Sequence, residues 1–460
     1  MNKKKYHFIA IGGIGMSGLA KYLLENGYEV SGSDVVDSKY VEKLRQMGAK
    51  VYIGHSEENL PDNCVVVAST AIRENNPELV KAKRLGLSVY HRSDLLAEIS
   101  NNEKCFIGFA GTHGKTTTSG FCSYVLEKAG YNPSFVVGGI VPELATNAQC
   151  KKGFHFVAEL DESDGTIVKY YPNITIVNNL EADHLDFYKN GLDSIIETFQ
   201  RFICKLPEGA KILLNVDDEG VCKLKERIFG EIYTYALEKE ADFIAQNINY
   251  AENCTTFDVY YKNHFVSEFK IILKGRHNVY NALAVISSLY LSGADLELMK
   301  EHFATFSGMG RRFQKVGQLE NVKNVDIYDD YAHHPTEISA TLDACKSFSP
   351  RRVVAVFQPH RYTRLQGLWD EFATVLKSAD FVVVTDVFAA SEDAIEGISG
   401  ELFASQIGAI HLSGDMKTVA QKLLPLLKEN DVVVGLGAGT ITNMGKELIQ
   451  LDKEIVSLGN

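Results

Sequence analysis

Residues 105–118 read CFIGFAGTHGKTTT, and this stretch decides the fold. Residues 105–110 form an apolar run typical of a β-strand, and a glycine-rich turn leads from it into a helical stretch at residues 119–129. Such a turn places backbone N–H groups and the positive end of the helix around an anion. The stretch therefore predicts a parallel α/β sheet with a phosphate site at its edge.

The turn departs from the usual phosphate-loop spacing, G-x-x-x-x-G-K-[ST]. Phe109 stands where the first glycine belongs, and the neighbouring glycines are Gly108 and Gly111. Lys115 can reach the β- and γ-phosphates of a nucleotide, and the Thr116 hydroxyl can ligate Mg²⁺. The alternative is an ordinary strand–turn–helix corner. We predict an ATP site formed by Gly111, Thr112, His113, Gly114, Lys115, Thr116 and Thr117.

Two acidic clusters follow strand-like runs further along the chain. Residues 156–164 read FVAELDESD, and residues 181–186 read EADHLD after a strand predicted at residues 174–178. The carboxyl ends of parallel strands meet at one edge of a sheet, where ligands bind. A single acid there is usually a solvated loop residue, but two clusters favour a Mg²⁺ site. His184 is a less obvious Mg²⁺ ligand, because imidazole is softer than carboxylate.

A second glycine-rich turn lies near the N-terminus. Residues 13–18, GIGMSG, match G-x-G-x-x-G after a strand-like run, and Asp34 follows about 20 residues later, where a ribose-binding acid belongs. Read alone, the pattern suggests an NAD-dependent oxidoreductase. A strand–turn–helix holds any diphosphate, however, including that of a UDP-sugar, and glycines can also serve close packing alone.

The pattern of strand and glycine-rich turn restarts three times. Strands alternate with helical stretches again after about residue 309, which indicates three α/β domains, each with a mostly parallel sheet and flanking helices. We expect a Rossmann-like domain at 1–103, a P-loop ATPase-like domain at 104–309 and a Rossmann-like domain at 310–460. The stretch 241–273 alternates like antiparallel strands and predicts a small addition to the central domain.

Composition narrows the classes of function. The 460 residues carry a formal net charge of −12, which argues against nucleic acid or an anionic membrane as partner and favours small molecules. The eight cysteines form no CxxC pair, which fits a reducing compartment. The basic start MNKKK imitates a signal peptide, but the apolar run after it is short and ends in glycines. We expect a cytoplasmic protein without a transmembrane helix.

The chain resembles the Mur ligase family over essentially its full length. The resemblance rests on the two glycine-rich turns and the two acidic clusters, and on four further motifs. These are GRHNVYNA at residues 275–282, GRRF at 310–313, DDYAHHP at 329–335 and FQPHRYTR at 357–364. It implies an N-terminal domain for the UDP part of a substrate, a central ATPase domain, and a C-terminal domain that closes over both.

The resemblance also implies roles for single residues. The N-terminal turn would hold a UDP-sugar diphosphate rather than NAD, through Gly12, Gly13, Ile14, Gly15, Met16, Ser17 and Asp34. The implied catalytic residues are Lys115, Glu159 and His184, and the implied metal ligands are Thr116, Glu159 and His184. The ATP site would be completed by His277, Asn281, Arg312 and Asp330. A muramoyl and alanine pocket would be lined by Tyr331, His333, His360, Arg361 and Arg364.

Without the resemblance, several of these motifs have other interpretations. Arg311 and Arg312 after a glycine turn could belong to a solvated linker, and the His-His-Pro at residues 333–335 could be a helix start. Several Mur ligases hold the second metal with a carbamylated lysine. Residues 195–202, where it would align, contain no lysine, which is common in the alanine-adding members.

The resemblance implies an ATP-dependent ligase of peptidoglycan precursor synthesis. It would join L-alanine to the lactyl carboxylate of UDP-N-acetylmuramate through an acyl phosphate, releasing ADP and phosphate. ATP and two Mg²⁺ ions, replaceable by Mn²⁺, would take part, and the protein would be a monomer or weak homodimer. The nearest alternative is a ligase that recycles murein tripeptide onto the same UDP-sugar. An NAD-dependent oxidoreductase and a non-catalytic nucleotide-binding regulator are more distant alternatives.

Overall fold

The computed structural model describes residues 4–69, 72–184, 187–251, 253–346, 351–390 and 392–459. The chain forms two compact units, which we describe separately: Met1–Leu273 with Asn278–Met309, and Lys274–His277 with Gly310–Asn460. The first unit contains two β-sheets and the second contains one. Within the described ranges, no helix is both long and apolar enough to cross a membrane.

The first sheet is parallel throughout and has the strand order 3-2-1-4-5. Its strands are β1 (Lys5–Ile9), β2 (Glu29–Asp34), β3 (Lys50–Ile53), β4 (Val65–Ala68) and β5 (Val89–His91). The helices are α1 (Ile14–Glu25), α2 (Lys39–Gln46), α3 (Pro77–Arg84) and α4 (Arg92–Ser100). The glycine-rich turn joins β1 to α1, at the edge where ligands bind in open parallel sheets.

The second sheet has ten strands in the order 15-14-13-12-11-10-6-9-7-8. These are β6 (Cys105–Ala110), β7 (Ser134–Val141), β8 (Thr146–Gln149), β9 (His155–Glu159), β10 (Ile174–Val177), β11 (Lys211–Asn215), β12 (Glu231–Ala236), β13 (Phe243–Tyr250), β14 (Thr255–Tyr261) and β15 (His264–Ile271). The helices are α5 (Lys115–Lys128), α6 (Leu192–Ile203), α7 (Glu219–Lys225), α8 (Arg276–Ser292) and α9 (Leu296–Phe303). The last three strands pair antiparallel, as expected for residues 241–273, and continue the same sheet.

The third sheet has six strands in the order 16-17-21-18-19-20, and only its edge strand β16 is antiparallel to its neighbour. The strands are β16 (Gln314–Gln318), β17 (Asp326–Asp330), β18 (Val353–Phe357), β19 (Phe381–Thr385), β20 (Ile410–Leu412) and β21 (Val432–Leu436). The helices are α10 (Pro335–Lys346), α11 (Tyr362–Gly367), α12 (Trp369–Leu376), α13 (Gly400–Ile407), α14 (Met416–Leu423) and α15 (Met444–Gly459). The predicted fold class is thus confirmed, while the predicted domain boundaries stay predictions.

Strand β6 sets the position of the glycine-rich turn at residues 111–117, which we call the phosphate loop after its predicted role. All six of its residues are buried, as expected for a central strand with helices on both faces. Its register with β9 places Phe109 opposite Glu159, and its register with β10 places Ala110 opposite Val177. Residues 159–164, which we call the acidic segment, therefore start beside the phosphate loop.

Gly108 makes room for the acidic segment. A Cβ atom on this glycine would lie 2.6 Å from Leu160 Cδ1 and 3.3 Å from Pro172 Cβ. Leu160 is fully buried directly after Glu159, and its N–H donates to the Phe109 carbonyl at 2.8 Å. A side chain at position 108 would push this segment away from β6.

We expect Gly108→Ala to lower the free energy of unfolding by about 1–3 kcal/mol, because the added methyl overpacks a filled core. Urea unfolding followed by circular dichroism measures the change. Gly367→Ala is the matched control, since a Cβ there meets no atom within 4 Å. Equal stability of Gly108→Ala and the wild-type protein would contradict the packing role of Gly108.

Candidate functional site

The phosphate loop turns at two glycines with positive φ, Gly111 at 123° and Gly114 at 80°. A Cβ on Gly111 would lie 2.8 Å from the Asn179 carbonyl oxygen, so only glycine fits there. Asn179 also holds the loop: its carbonyl accepts from Thr112 N–H at 3.0 Å, and its Oδ1 accepts from His113 N–H at 2.7 Å. The loop is thus fixed by the chain that follows β10.

Lys115, the first residue of α5, is largely buried, with 13% of its side chain exposed, and its ammonium group has three oxygen partners. It donates to the carbonyls of Gly111 at 2.6 Å and Thr112 at 3.0 Å, and to Glu162 Oε1 at 2.9 Å. Burial alone would lower the pKa of Lys115, but the carboxylates of Glu162, Asp161 and Glu159 outweigh it and raise the pKa. The lysine is therefore a charged group held at the loop.

Glu162 is the partner that our sequence reasoning did not single out. Its side chain is 2% exposed, and among the described residues its second oxygen, Oε2, has no hydrogen-bond partner. The sequence signal was present in the DESD run at residues 161–164, but the pattern does not show which acid faces the lysine. A buried carboxylate thus occupies the Lys115 ammonium as an anionic ligand would.

Thr116 and Glu159 lie together, as a shared metal site requires. The Thr116 hydroxyl donates to Glu159 Oε2 at 2.8 Å, and the Gly138 N–H donates to the same oxygen at 2.8 Å. A Cβ on Gly138 would lie 2.3 Å from that oxygen, so a glycine on β7 leaves the space that the carboxylate fills. A hydroxyl beside a carboxylate is a donor set of oxygens, which fits Mg²⁺.

The second acidic cluster is arranged differently from the first. Glu181 donates its N–H to Thr112 Oγ1 at 2.9 Å, and its Oε2 lies 3.5 Å from His113 Nε2. His184 has a positive φ of 53°, and its Nε2 lies 3.6 Å from Asp183 Oδ2. The structure thus brings Glu181 to the phosphate loop and pairs His184 with Asp183. Leu185 and Asp186 of this motif lie outside the described residues.

Asn281 on α8 also lies against the phosphate loop. Its Oδ1 is 2.9 Å from the position that a Cβ on Gly114 would take, and its Nδ2 donates to Asn278 Oδ1 at 3.0 Å. The predicted grouping of Asn281 with the loop is therefore seen in the geometry. His277 belongs to the other compact unit, where burial lowers the pKa of its imidazole to about 4.

The N-terminal glycine turn is tied by Asp34. Its Oδ2 accepts from Gly12 N–H at 2.8 Å, and its Oδ1 accepts from Val36 N–H at 3.0 Å. The predicted acid therefore stands at the turn, and in this structure it braces the backbone around it. Ile14 begins helix α1, and the Ser17 hydroxyl donates to the Ile14 carbonyl at 3.1 Å.

In the second compact unit, Asp330 organises the predicted residues. The end of β17 places it where Phe313 N–H donates to its Oδ2 at 2.9 Å and Ala332 N–H donates to its Oδ1 at 2.8 Å. Burial raises the pKa of Asp330 to about 6. Arg312 pairs with Glu337 at 3.1 Å, so Glu337 is a further site neighbour that the sequence reasoning missed.

The predicted pocket residues of this unit cluster around two histidines. The ring of His333 lies 5.2 Å from that of Tyr331 and 5.8 Å from that of His360, measured between centroids. Arg364 Nη1 lies 3.4 Å from His360 Nδ1. Arg361 precedes α11 with a positive φ of 71°, and its N–H donates to the Phe388 carbonyl at 2.9 Å. The structure therefore brings Tyr331, His333, His360 and Arg364 together.

Comparison with known proteins identifies the family of this chain. Three family models match in order: "Mur ligase family, catalytic domain" at residues 5–104, "Mur ligase middle domain" at 109–289 and "Mur ligase, glutamate ligase domain" at 311–439. The chain belongs to the Mur ligase family. The resemblance inferred from the motifs is thereby confirmed.

Relatives of this Mur ligase extend over its whole length. It is 42% identical to a UDP-N-acetylmuramate–L-alanine ligase of Geobacter sulfurreducens, over 97% of both chains. It is 41% identical to the enzyme of that name from Pelotomaculum thermopropionicum, over 100% of both chains. The solved UDP-N-acetylmuramate–alanine ligase of Thermotoga maritima is 28% identical, with a TM-score of 0.83 over 98% of this chain and 99% of that one.

A solved murein peptide ligase from Psychrobacter arcticus has the same fold. It is 23% identical, with a TM-score of 0.74 over 98% of both chains. At this identity the similarity establishes the architecture alone.

The surroundings of His333 lead to a prediction about pH. Burial lowers the pKa of His333 to about 4, whereas an unfolded histidine titrates near 6.5. The unfolded chain therefore binds more protons between these values, and the histidine costs stability as pH falls from 6.5 towards 4. Between pH 7 and pH 5, we therefore expect the free energy of unfolding to fall by up to about 2 kcal/mol more in the wild-type protein than in His333→Gln.

Urea unfolding of both proteins at pH 7 and pH 5 measures this difference. The exposed His264→Gln provides the control. The same loss of stability in the wild-type protein and in His333→Gln would contradict the neutral state of His333.

Proposed function

We propose that this Mur ligase joins L-alanine to the lactyl carboxylate of UDP-N-acetylmuramate at the expense of ATP, in peptidoglycan precursor synthesis. The observation that carries the proposal is the phosphate loop, where a charged, largely buried Lys115 and the Thr116–Glu159 pair lie side by side. Relatives with this activity in their names, at about 40% identity over the full chain, support the choice of substrates.

The proposed chemistry follows from the weakness of a carboxylate as an electrophile. Attack of the lactyl carboxylate on the γ-phosphorus of ATP gives an acyl phosphate and ADP, and attack by the alanine amine then expels phosphate. Lys115 stabilises the negative charge on the transferring group, because a preorganised cation in a dry site costs little reorganisation. When bound, Mg²⁺ would add Lewis-acid stabilisation of that charge. Thr116 and Glu159 would hold one ion, and His184 would help to hold a second.

The finer assignments extend this proposal. We propose two Mg²⁺ ions, with Mn²⁺ as a substitute, and a cytoplasmic monomer or weak homodimer. The N-terminal turn would take the UDP diphosphate. His277, Asn281, Arg312 and Asp330 would complete the ATP site, and the muramoyl and alanine pocket would include Tyr331, His333, His360, Arg361 and Arg364. His333 and His360 are the candidate bases for the amine, since their rings lie 5.8 Å apart between centroids among the predicted pocket residues.

Phosphate release tests the proposed substrates. With ATP and UDP-N-acetylmuramate present, we expect L-alanine to stimulate phosphate release strongly. L-Serine and glycine are tested beside it under the same conditions. Stimulation by the murein tripeptide but not by L-alanine would replace the proposal with the recycling ligase. Tight NADH binding without ATP turnover would favour an oxidoreductase.

Lys115→Ala is expected to lower kcat at least 100-fold, because it removes the cation that faces the transferring phosphoryl group. The fold and the affinity for UDP-N-acetylmuramate should persist, which circular dichroism and calorimetry check. Lys128→Ala, an exposed lysine at the other end of α5, is the matched control and should keep full activity. Near-normal turnover by Lys115→Ala would show that the phosphate loop has been wrongly assigned.

Glu159→Gln is expected to weaken Mn²⁺ binding in the presence of ATP at least tenfold, since it removes an anionic oxygen beside Thr116. Electron paramagnetic resonance of free Mn²⁺ measures the affinity. The exposed Glu208→Gln serves as control. Unchanged Mn²⁺ affinity in Glu159→Gln would exclude Glu159 as a metal ligand.

A further inference from the structure

Arg92 lies between the N-terminal glycine turn and the acidic segment that holds Lys115. It is the first residue of α4, and its Nη1 is 3.5 Å from the position that a Cβ on Gly15 would take. Its Nη2 donates to Asp161 Oδ2. One guanidinium group therefore spans the glycine turn of the first sheet and the acidic segment of the second, inside one compact unit.

Asp161 is the link from Arg92 to the phosphate loop. It directly precedes Glu162, the partner of Lys115, and its Oδ1 accepts from Ser163 N–H at 3.0 Å. Asp161 thus holds Arg92 directly beside the residue that holds Lys115.

The geometry points to a role for Arg92 that goes beyond packing, and it rests on the proposed function. We propose that Arg92 binds the diphosphate of the UDP-substrate and that Asp161 is the positioning residue that orients it. Guanidinium suits this place because its donors point in several fixed directions, so that one side can bind Asp161 and the other a phosphate oxygen. Through Asp161, the same contact ties the UDP site to the segment that carries Glu162.

A neighbouring ion pair provides a control for the loss of the Arg92–Asp161 ion pair. The same helix α4 makes a second ion pair with the chain after the acidic segment, between Asp94 Oδ1 and Lys169 Nζ at 2.6 Å. That pair contacts neither Gly15 nor Lys115 in the described contacts. Asp94 Oδ2 also accepts from His91 N–H at 2.8 Å in the capping box of α4, and asparagine at position 94 keeps an oxygen for that bond while it removes the charge of the ion pair.

Calorimetric titration with UDP tests the inference. We expect Arg92→Ala to weaken UDP binding at least tenfold, since a charge-assisted contact to the diphosphate is lost. Asp161→Asn should weaken UDP binding about threefold or more, although position 161 is not part of the glycine turn. It should also raise the KM for ATP. Asp94→Asn should leave both values within twofold of the wild-type protein.

If Arg92→Ala does not fold, Arg92→Lys provides the test in its place. A lysine offers one point charge and cannot face both sides, so UDP affinity should fall several-fold while the melting temperature stays near that of the wild-type protein. Wild-type UDP affinity in Arg92→Ala or Arg92→Lys would overturn the inference. An equal loss for Asp94→Asn and Asp161→Asn would also overturn it, because both would then report only a weakened interface.

Failure of the inference and failure of the proposed function are distinguishable. Alanine-dependent phosphate release by the wild-type protein, together with unchanged UDP affinity in the Arg92 variants, contradicts the inference alone. A wild-type protein that does not bind UDP at all contradicts both.

Discussion

The need to keep a charged lysine inside the protein shapes the phosphate site. An ammonium group removed from water loses several kcal/mol of hydration unless oxygens replace the lost water. Lys115 finds them in two carbonyls of its own loop and in the buried Glu162. The positive φ values of Gly111 and Gly114 turn the loop, and its carbonyls at residues 111 and 112 accept from the ammonium. Loop conformation, lysine charge and the acidic segment therefore depend on one another.

This dependence explains why glycines recur in places outside the phosphate loop itself. Gly108 admits Leu160 and Gly138 admits the Glu159 carboxylate, and a methyl at either position would enter the volume of its neighbour. Both glycines lie on strands, where glycine has an entropic cost and no side chain to pack. Their presence there is accounted for by the close approach of Leu160 to β6 and of Glu159 to β7.

Sequence patterns predicted the architecture, and they grouped the glycine-rich turn with acidic residues that the structure places beside it. Buried strands that enter glycine-rich turns have few alternative folds, and the carboxyl ends of parallel strands converge whatever the side chains are. Which acid meets Lys115 could not be predicted, because Glu159, Asp161, Glu162 and Asp164 follow one another within six residues. Strand register and the local turn decide their directions, and no periodicity in the sequence encodes either.

The contacts of Asn179 and Arg92 were not predictable for a related reason. Asn179 braces the phosphate loop across about 65 residues of chain, and Arg92 reaches Asp161 across a similar separation. An asparagine after a strand and an arginine at a helix start are ordinary in sequence. Their role comes from the order of the strands, since β10 and β9 flank β6 on opposite sides.

The departure from the usual glycine spacing has a structural cause. Phe109 is fully buried in β6, opposite Glu159 on one side and Ile176 on the other. A glycine there would remove a large aromatic side chain from the core, and a buried phenylalanine contributes about 1.5–3 kcal/mol. The strand therefore runs two residues further before the chain turns at Gly111, and the loop that remains is shorter. The missing glycine marks where the strand ends, and the loop still has its turn at Gly111 and the oxygen partners of Lys115.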